Sequence, residues 1–378
     1  MAERKQITLL YQYNDNWIGG TYYILNIIRA LKVLDDVKKP QLNIIFNDEK
    51  SIDSIKNLNY PYINFVFFNL KYTILERILN RLGIEILGRE IIKKKIKVDR
   101  IKNLYPINMS INTNNIDGFY FWIPDFQEWY LPNFFSNREI KTRKASQSYL
   151  VKKNYPVIFS SKNALDDFNK FYPNNTNQKE ILRFVSVVED SFSNIDISVL
   201  KKKFDIDQNY FIVPNQFWKH KNHAIIIEAA KVLKENKSEF LIVFTGKEFD
   251  HRNPDYTNDI KRRIAQYGLD DIFRFLGFID RNEQLQLMKN SIAIVQPSLF
   301  EGWSTVVEDT KALNHVILLS DIPLHREQIK DNCIFFDATN EVDLADKLLY
   351  AMNNNFANTI FDVKNEQLHF AEKIISIF

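Results

Sequence analysis

Short apolar runs alternate along the chain with stretches whose apolar positions recur at helical spacing, a pattern that predicts parallel α/β architecture. In the first half, Ile7 to Tyr13, Leu42 to Phe46, Ile63 to Phe68, Phe119 to Ile123, Val157 to Ser160 and Ile181 to Val187 read as strands. The pattern restarts at Tyr210 to Pro214 and continues through Phe240 to Thr245, Phe273 to Gly277, Ile292 to Gln296, Val316 to Ser320 and Ile334 to Asp337. Residues 188–208 are weakly patterned, with a polar run and then a basic helical stretch, so the linker is expected there. Two doubly wound parallel sheets follow, one over 1–192 and one over 193–364. The length of 378 residues, about twice that of a usual single domain, fits two such units.

The stretch from Pro297 to Gln328 concentrates the signals of a ligand site. It joins the ends of two apolar runs through an acidic loop and a helix start, and Thr305 with Glu308 three residues on reads as a capping box. Free amides of a first helical turn just beyond a strand's carboxyl end favour an anion, and open α/β sheets bind ligands in that crevice. Glu301 would overhang it.

This segment resembles the donor-site signature of the group 1 family of retaining glycosyltransferases. The family carries two acids with seven residues between them, which here fall on Glu301 and Asp309. The resemblance implies the GT-B fold, two Rossmann-like domains facing a central cleft, with a C-terminal helix, here 365–378, crossing back onto the first domain. It also implies that Glu301 lies near the donor sugar, that Asp309, one methylene shorter than the usual glutamate, reaches the nucleotide ribose, and that Gly302, Ser304 and Thr305 frame the donor at the helix start.

Other strand-end loops extend the resemblance. Pro214 to His223 carries Lys221 at the position of a diphosphate-gripping lysine, while Gln216 stands where the family has an arginine. A neutral amide there forfeits one charge-assisted hydrogen bond, which Lys219 or His220 would replace. A solvated basic turn is the plain alternative. Gly19 and Gly20 follow the first strand and open the helix 22–34, where the family brings glycine amides against the diphosphate; an ordinary tight turn accounts for them equally well. The backbone of 275–279, with Phe278, would meet the nucleobase, although an apolar strand end reads the same way.

In the first domain, Asp125 and Gln127 follow a strand and Trp17 precedes the glycine pair; these are the expected acceptor contacts, with a turn role for Asp125 equally open. All six histidines lie at or after position 220. Inverting relatives by fold commonly draw a base from the first domain, often a histidine, so this placement favours retaining chemistry, with Asp125 as the base left open to an inverting enzyme. Trp17, Trp122, Trp129, Trp218 and Trp303 all read as loop residues at strand ends, where sugars and bases stack.

Composition narrows the classes. A formal charge of +3 is too small for a nucleic-acid binder. The single cysteine, Cys333, excludes an internal disulfide and reads as a strand residue. No metal constellation appears; His220 and His223 lack a third ligand, and Asp205 with Asp207 precedes a strand. No apolar run reaches the ~18 residues that span a bilayer, and no leader precedes Gln6, so a cytoplasmic protein is expected. Residues 71–100 carry nine basic side chains against four acidic ones, interleaved with Ile and Leu. That suits peripheral contact with an anionic inner membrane face or, equally, a solvated helix covering a sheet.

The expected function is transfer of a hexose-type sugar from a nucleotide diphosphate sugar to a hydroxyl of a glycan or lipid-linked acceptor in surface polysaccharide biosynthesis. The donor is a substrate, and no cofactor or metal is expected. A nucleotide-sugar epimerase, a phosphorylase and a non-catalytic sugar-nucleotide binding protein are the rival readings, and the first is separated by incubating the chain with donor alone.

Overall fold

Apolar runs bounded by turn residues can be satisfied only if both faces of their sheets are covered, and the chain does this twice. The computed structural model describes residues 3–13, 18–69, 71–98, 100–108, 111–235, 240–354, 356 and 359–378. It divides into one unit of Met1–Val187 with Lys364–Phe378 and a second of Val188–Val363.

The first unit holds a seven-stranded sheet of β1 (Gln6–Tyr11), β2 (Gln41–Phe46), β3 (Ile63–Phe67), β4 (Ile101–Ile107), β5 (Ile116–Ile123), β6 (Val157–Phe159) and β7 (Lys179–Ile181), in the order β3-β2-β1-β4-β5-β6-β7. Every pairing is parallel. The C-terminal helix, Val363–Ile377, joins this unit: Lys5 Nζ donates to the Ile375 carbonyl at 2.6 Å, Tyr120 Oη to that of Ile377 at 2.9 Å, and Asn103 Nδ2 to that of Phe378 at 3.0 Å.

Two features of this sheet depart from the sequence pattern. β4 was not expected, because Lys102, Asn103 and Pro106 interrupt its apolar run, yet Leu104 and Tyr105 pair with β1 at the centre of the sheet. The expected strand from Ile181 to Val187 is confined to Lys179–Ile181. Leu182, Phe184 and Ser186 are buried alternately with Arg183 exposed, which imitates a strand, but the last rung is Leu182 N–H to the Phe159 carbonyl at 2.8 Å.

The second unit holds β8 (Tyr210–Pro214), β9 (Leu241–Thr245), β10 (Phe273–Phe275), β11 (Ile294–Gln296), β12 (Ile317–Ser320) and β13 (Cys333–Phe336), ordered β10-β9-β8-β11-β12-β13 and all parallel. Phe211, Val213, Ile242, Phe244, Val295 and Leu318 pack one face; Tyr210, Ile212, Leu241, Val243, Ile294 and Leu319 pack the other. Side chains alternate across a sheet, so burial of both faces demands the continuous apolar runs seen in the sequence. Cys333 opens β13 half-buried, and burial pushes its thiol up to about 11, which suits a packing residue and not a nucleophile.

Candidate active site

β8 lies between β9 and β11, so the order of the sheet reverses there, and the connections leaving β8 and β11 diverge to opposite faces. Their carboxyl ends are therefore where the two loops carrying Lys221 and Glu301 meet. After β8 the chain makes a short 3₁₀ turn at Lys219–Lys221, closed by Asn222 at φ 58°, a left-handed value that Asn tolerates. Asn222 Nδ2 donates to the carbonyls of Pro297 (3.2 Å) and Ala338 (2.9 Å), and Leu299 N–H donates to the His220 carbonyl at 2.8 Å. These bonds stitch the two loops together.

Lys221 Nζ then donates to Glu301 Oε1 at 2.5 Å, with the glutamate side chain only 9% exposed. Behind the pair, Asn215 Nδ2 donates to Gln296 Oε1 at 2.7 Å, and Gln296 Nε2 points to Glu301 Oε1 at 2.8 Å, Ser298 Oγ at 3.1 Å and Ser304 Oγ at 3.3 Å. Burial by itself would raise the Glu301 carboxyl. The Lys221 ammonium and hydrogen bonds from Lys221 and Ser298 outweigh it and hold the carboxyl below its ordinary value. Burial and Lys221 push His220 down to about 3, so it is neutral at pH 7 and adds no cation in place of the arginine missing at Gln216.

The helix Thr305–Ala312 starts one residue earlier than the capping box anticipated. Ser304 is the N-cap, its Oγ accepting the Val307 amide at 3.4 Å. Gln328 brackets that residue: its Oε1 accepts the Ser304 amide at 3.1 Å and its Nε2 donates to the Ser304 carbonyl at 2.8 Å. Glu308 therefore does not cap the helix. It is buried, pairs with Lys311 Nζ at 3.2 Å and accepts Gln328 Nε2 at 2.9 Å. Among the described residues no hydrogen bond takes the Thr305 and Val306 amides, which remain available to an anion.

Asp309 is 2% exposed and its carboxylate is clamped by Arg281, the first residue of the helix Arg281–Lys289. The same arginine donates to Gln284 Oε1 at 3.1 Å, and Gln284 Nε2 donates to Thr245 Oγ1 at the end of β9 at 2.9 Å. Phe278, 63% exposed, lies in the loop between β10 and that helix. Next to it, Gly277 offers its carbonyl to Gly246 N–H at 2.8 Å. Gly246 has φ +119°, and a Cβ there would stand 2.5 Å from the Asn215 carbonyl oxygen, so only glycine lets the β9 and β8 ends approach this closely. Gln216 is half-buried in the same place, and Gly302 is half-buried in the turn after Glu301.

The remaining expected residues belong to the first unit. Gly19 and Gly20 do not form a loop before a helix; both lie inside the helix Ile18–Val33. Trp17 lies outside the described residues. Asp125 Oδ1 accepts the Gln127 amide at 3.1 Å and Arg143 Nη1 at 3.4 Å, a turn-forming role, and Gln127 is buried. Two tryptophans are packing residues and not loop residues: Trp122 lies within β5, stacked on Tyr23 at 4.2 Å, and Trp129 lies in the helical turn Gln127–Tyr130, stacked on Phe171 at 4.2 Å. Asn215, Gln296, Gln328 and Arg281 had not been singled out in the sequence. His325, fully buried, had not either; its Nδ1 lies 2.8 Å from the Ser320 carbonyl, and burial first, with Lys221 contributing, pushes it down to about 4. Among the described residues, no three His, Cys, Asp or Glu side chains group as a metal site would require.

Residues 196–369 match the family described as Glycosyl transferases group 1. The O-antigen chain mannosyltransferase RfbU of Salmonella typhimurium is 26% identical over 219 residues, 58% of this chain and 56% of that protein. The chain spans about half the length of the curated relatives it matches. Among solved structures, a glycosyltransferase from Rickettsia africae superposes with a TM-score of 0.67 at 16% identity, covering 99% of this chain and 96% of that one. Anabaena HepE, in complex with UDP and glucose, gives 0.63 at 13% identity, covering 97% and 95%. The fold is that of the GT-B glycosyltransferases.

Proposed function

We propose, with residues 196–369 belonging to the group 1 glycosyltransferases, that this chain moves a hexose from a nucleotide diphosphate sugar to a hydroxyl of a glycan or lipid-linked acceptor. The transfer would retain the anomeric configuration, need no metal ion, and serve surface polysaccharide assembly in the cytoplasm. The observation that carries this reading is the Lys221–Glu301 pair at the ends of adjoining strands, beside the capped start of the Thr305–Ala312 helix. RfbU acts on an O-antigen chain by its name and HepE holds UDP and glucose, which supports a polysaccharide product and a nucleotide donor.

In this reading the donor diphosphate takes the Lys221 ammonium from Glu301 and meets the Thr305 and Val306 amides at the positive end of the helix. The amides are already oriented and need no reorganisation to stabilise the charge that develops on the departing phosphate, while Lys221 turns to it from Glu301. Gln296 keeps Glu301 in place when the lysine turns away, and the freed carboxylate receives the sugar hydroxyls and faces the positive charge at the anomeric carbon. The acceptor oxygen bonds to that carbon from the side on which the phosphate oxygen leaves. Its proton passes to the phosphate, so each bond broken is matched by one formed.

The first test is a thermal-shift titration with UDP and GDP, since a ligand that binds only the folded chain raises its melting temperature. Lys221→Ala should lower transfer on the order of a hundredfold, the range seen when one charge-stabilising donor is removed. A flat response to every nucleotide diphosphate, or wild-type transfer by Glu301→Gln, would overturn the assignment.

A further inference from the structure

The helix Ile74–Leu87 presents its polar side to the protein and its apolar side to solvent. Inward, Glu76 accepts Lys94 Nζ at 2.8 Å. Buried Asn80 accepts the Ile91 and Ile92 amides at 3.1 and 2.7 Å and donates to the Ile92 carbonyl at 2.9 Å. Gly83 completes this side, so close to Ile91 that a Cβ would come within 2.6 Å of it. Outward, Ile74, Ile78, Leu82 and Ile86, each four residues from the last, form one stripe with Leu75 beside it, and all five are exposed, Ile74 by 78% and Ile86 by 76%.

Helices at the surface of a soluble protein normally turn such a stripe inward, so this reversal calls for an apolar partner. A reciprocal capping box between Thr73 and Glu76 fixes the start of the helix, and Gly88 at φ 63° ends it, so the stripe, about 18 Å long, is held on a well-terminated element. Arg77, Arg81 and Glu85 run along one edge of the stripe, each one turn from the last, with Arg81 Nε 3.5 Å from Glu85 Oε1 in an exposed pair that leaves the guanidinium open to solvent, and Lys71, Arg89, Lys95 and Lys97 are exposed in the same segment. Of the four acidic residues against nine basic ones in 71–100, Glu76 pairs with Lys94 and Glu85 with Arg81, and the positive surplus is unchanged by that pairing.

We propose that this face docks on an anionic lipid bilayer, with the helix lying in the interface plane, Ile74, Ile78, Leu82 and Ile86 among the acyl chains and Arg77 and Arg81 at the headgroup phosphates. A second copy of the chain is the weaker occupant, because it would bring the same positive surplus against itself. The surface lies wholly in the first unit and stands independently of the donor chemistry.

The full chain is tested by co-sedimentation with vesicles of phosphatidylcholine mixed with phosphatidylglycerol, and with vesicles of phosphatidylcholine alone. Binding is expected to the mixed vesicles and to weaken as salt rises. The double variant Ile78→Asp/Leu82→Asp should reduce it more than tenfold, and Arg77→Ala/Arg81→Ala should reduce both the binding and its salt dependence. These side chains are exposed, so both variants should keep the wild-type melting temperature and its response to nucleotide, which separates loss of docking from loss of fold or donor site. Equal binding to both vesicle types, no binding to either, or wild-type sedimentation by Ile78→Asp/Leu82→Asp overturns the proposal. A solution dimer dissolved by that variant without any vesicle binding assigns the face to a second copy instead.

Discussion

Gln296 and Lys221 hold the same oxygen of Glu301, the amide at 2.8 Å from the end of the glutamate's own strand and the ammonium at 2.5 Å from the neighbouring strand's loop. One contact can release while the other stays. Gln296→Ala removes the fixed one and also strips a partner from Asn215 and Ser304. Each buried polar group left unmatched costs about 1–3 kcal/mol. The expected result is a lower unfolding midpoint together with a fall in kcat larger than the rise in donor KM, read from denaturant titration and steady-state kinetics.

Breaking the Lys221–Glu301 pair from the lysine side leaves a carboxylate with a 9% exposed side chain and no cation. Removing one partner of a buried pair costs about 3–5 kcal/mol, and Lys221 is itself 19% exposed, so Lys221→Ala should fall at or below the lower figure. Lys221→Ala/Glu301→Gln should recover most of that stability while remaining inactive, which chemical denaturation and a transfer assay would establish together.

The Arg281–Asp309 clamp behaves differently, because both partners can be replaced by apolar groups of similar size. Arg281→Ala is expected to destabilise by about 3 kcal/mol, since Asp309 is 2% exposed. Arg281→Met/Asp309→Leu should restore the wild-type midpoint but raise the donor KM, if the donor ribose reaches this position. An unchanged KM would make the clamp purely structural.

Acid should destabilise the chain well above the carboxylate range. His220 and His223 are pushed down to about 3, and His315 and His325 to about 4, in each case chiefly by burial. Between an ordinary value near 6.5 and those values, the unfolded chain binds protons that the folded chain refuses, so stability is complete above pH 6.5 and declines as pH falls below it. Glu301 adds a second loss lower down, because its depressed carboxyl stabilises above its unfolded value and ceases to do so as pH falls through the folded one. His223→Phe, which keeps the stack on Phe217 at 4.2 Å, should make the acid slope shallower by an amount that approaches about 1.4 kcal/mol per pH unit below about pH 5.5, measured by denaturant titration at a series of pH values from 7 down to 4.5.

Gly246→Ala tests how closely the loops depend on one another. The new Cβ would meet the Asn215 carbonyl oxygen at 2.5 Å and the Gln216 nitrogen at 2.8 Å, at φ +119°. A cost above about 1 kcal/mol is expected, with loss of nucleotide binding because Asn215 must shift away from Gln296.

What the sequence disclosed follows from which interactions leave a local trace. Buried parallel strands are continuous apolar runs, so β8 to β13 were visible, whereas β4 hides behind Lys102, Asn103 and Pro106. Glu301 stood out as an acid in the loop beyond a strand end, and Lys221 because the resemblance to the group 1 family marks its position. Gln296 and Gln328 did not, because a neutral amide becomes informative only when its partners are known, and Gln328 grips Ser304 from 24 residues away. The misread cap has a similar origin: Ser304 and Thr305 are both good capping residues, and the bracket from Gln328 fixes Ser304 outside the helix. Trp122 and Trp129 were misplaced because a tryptophan near a strand end reads alike whether it faces ligand or Tyr23 and Phe171.

The first unit is assembled from two pieces of chain that enclose the whole of the second. Asn103 reaches Phe378 across a separation of 275 residues, one of the longest loops any hydrogen bond in the molecule must close. On a ribosome the order of completion is therefore the reverse of the order of synthesis. The later unit is continuous and has all of its parts as soon as it emerges, while the earlier one, though made first, lacks its final helix until the whole of the other has been made.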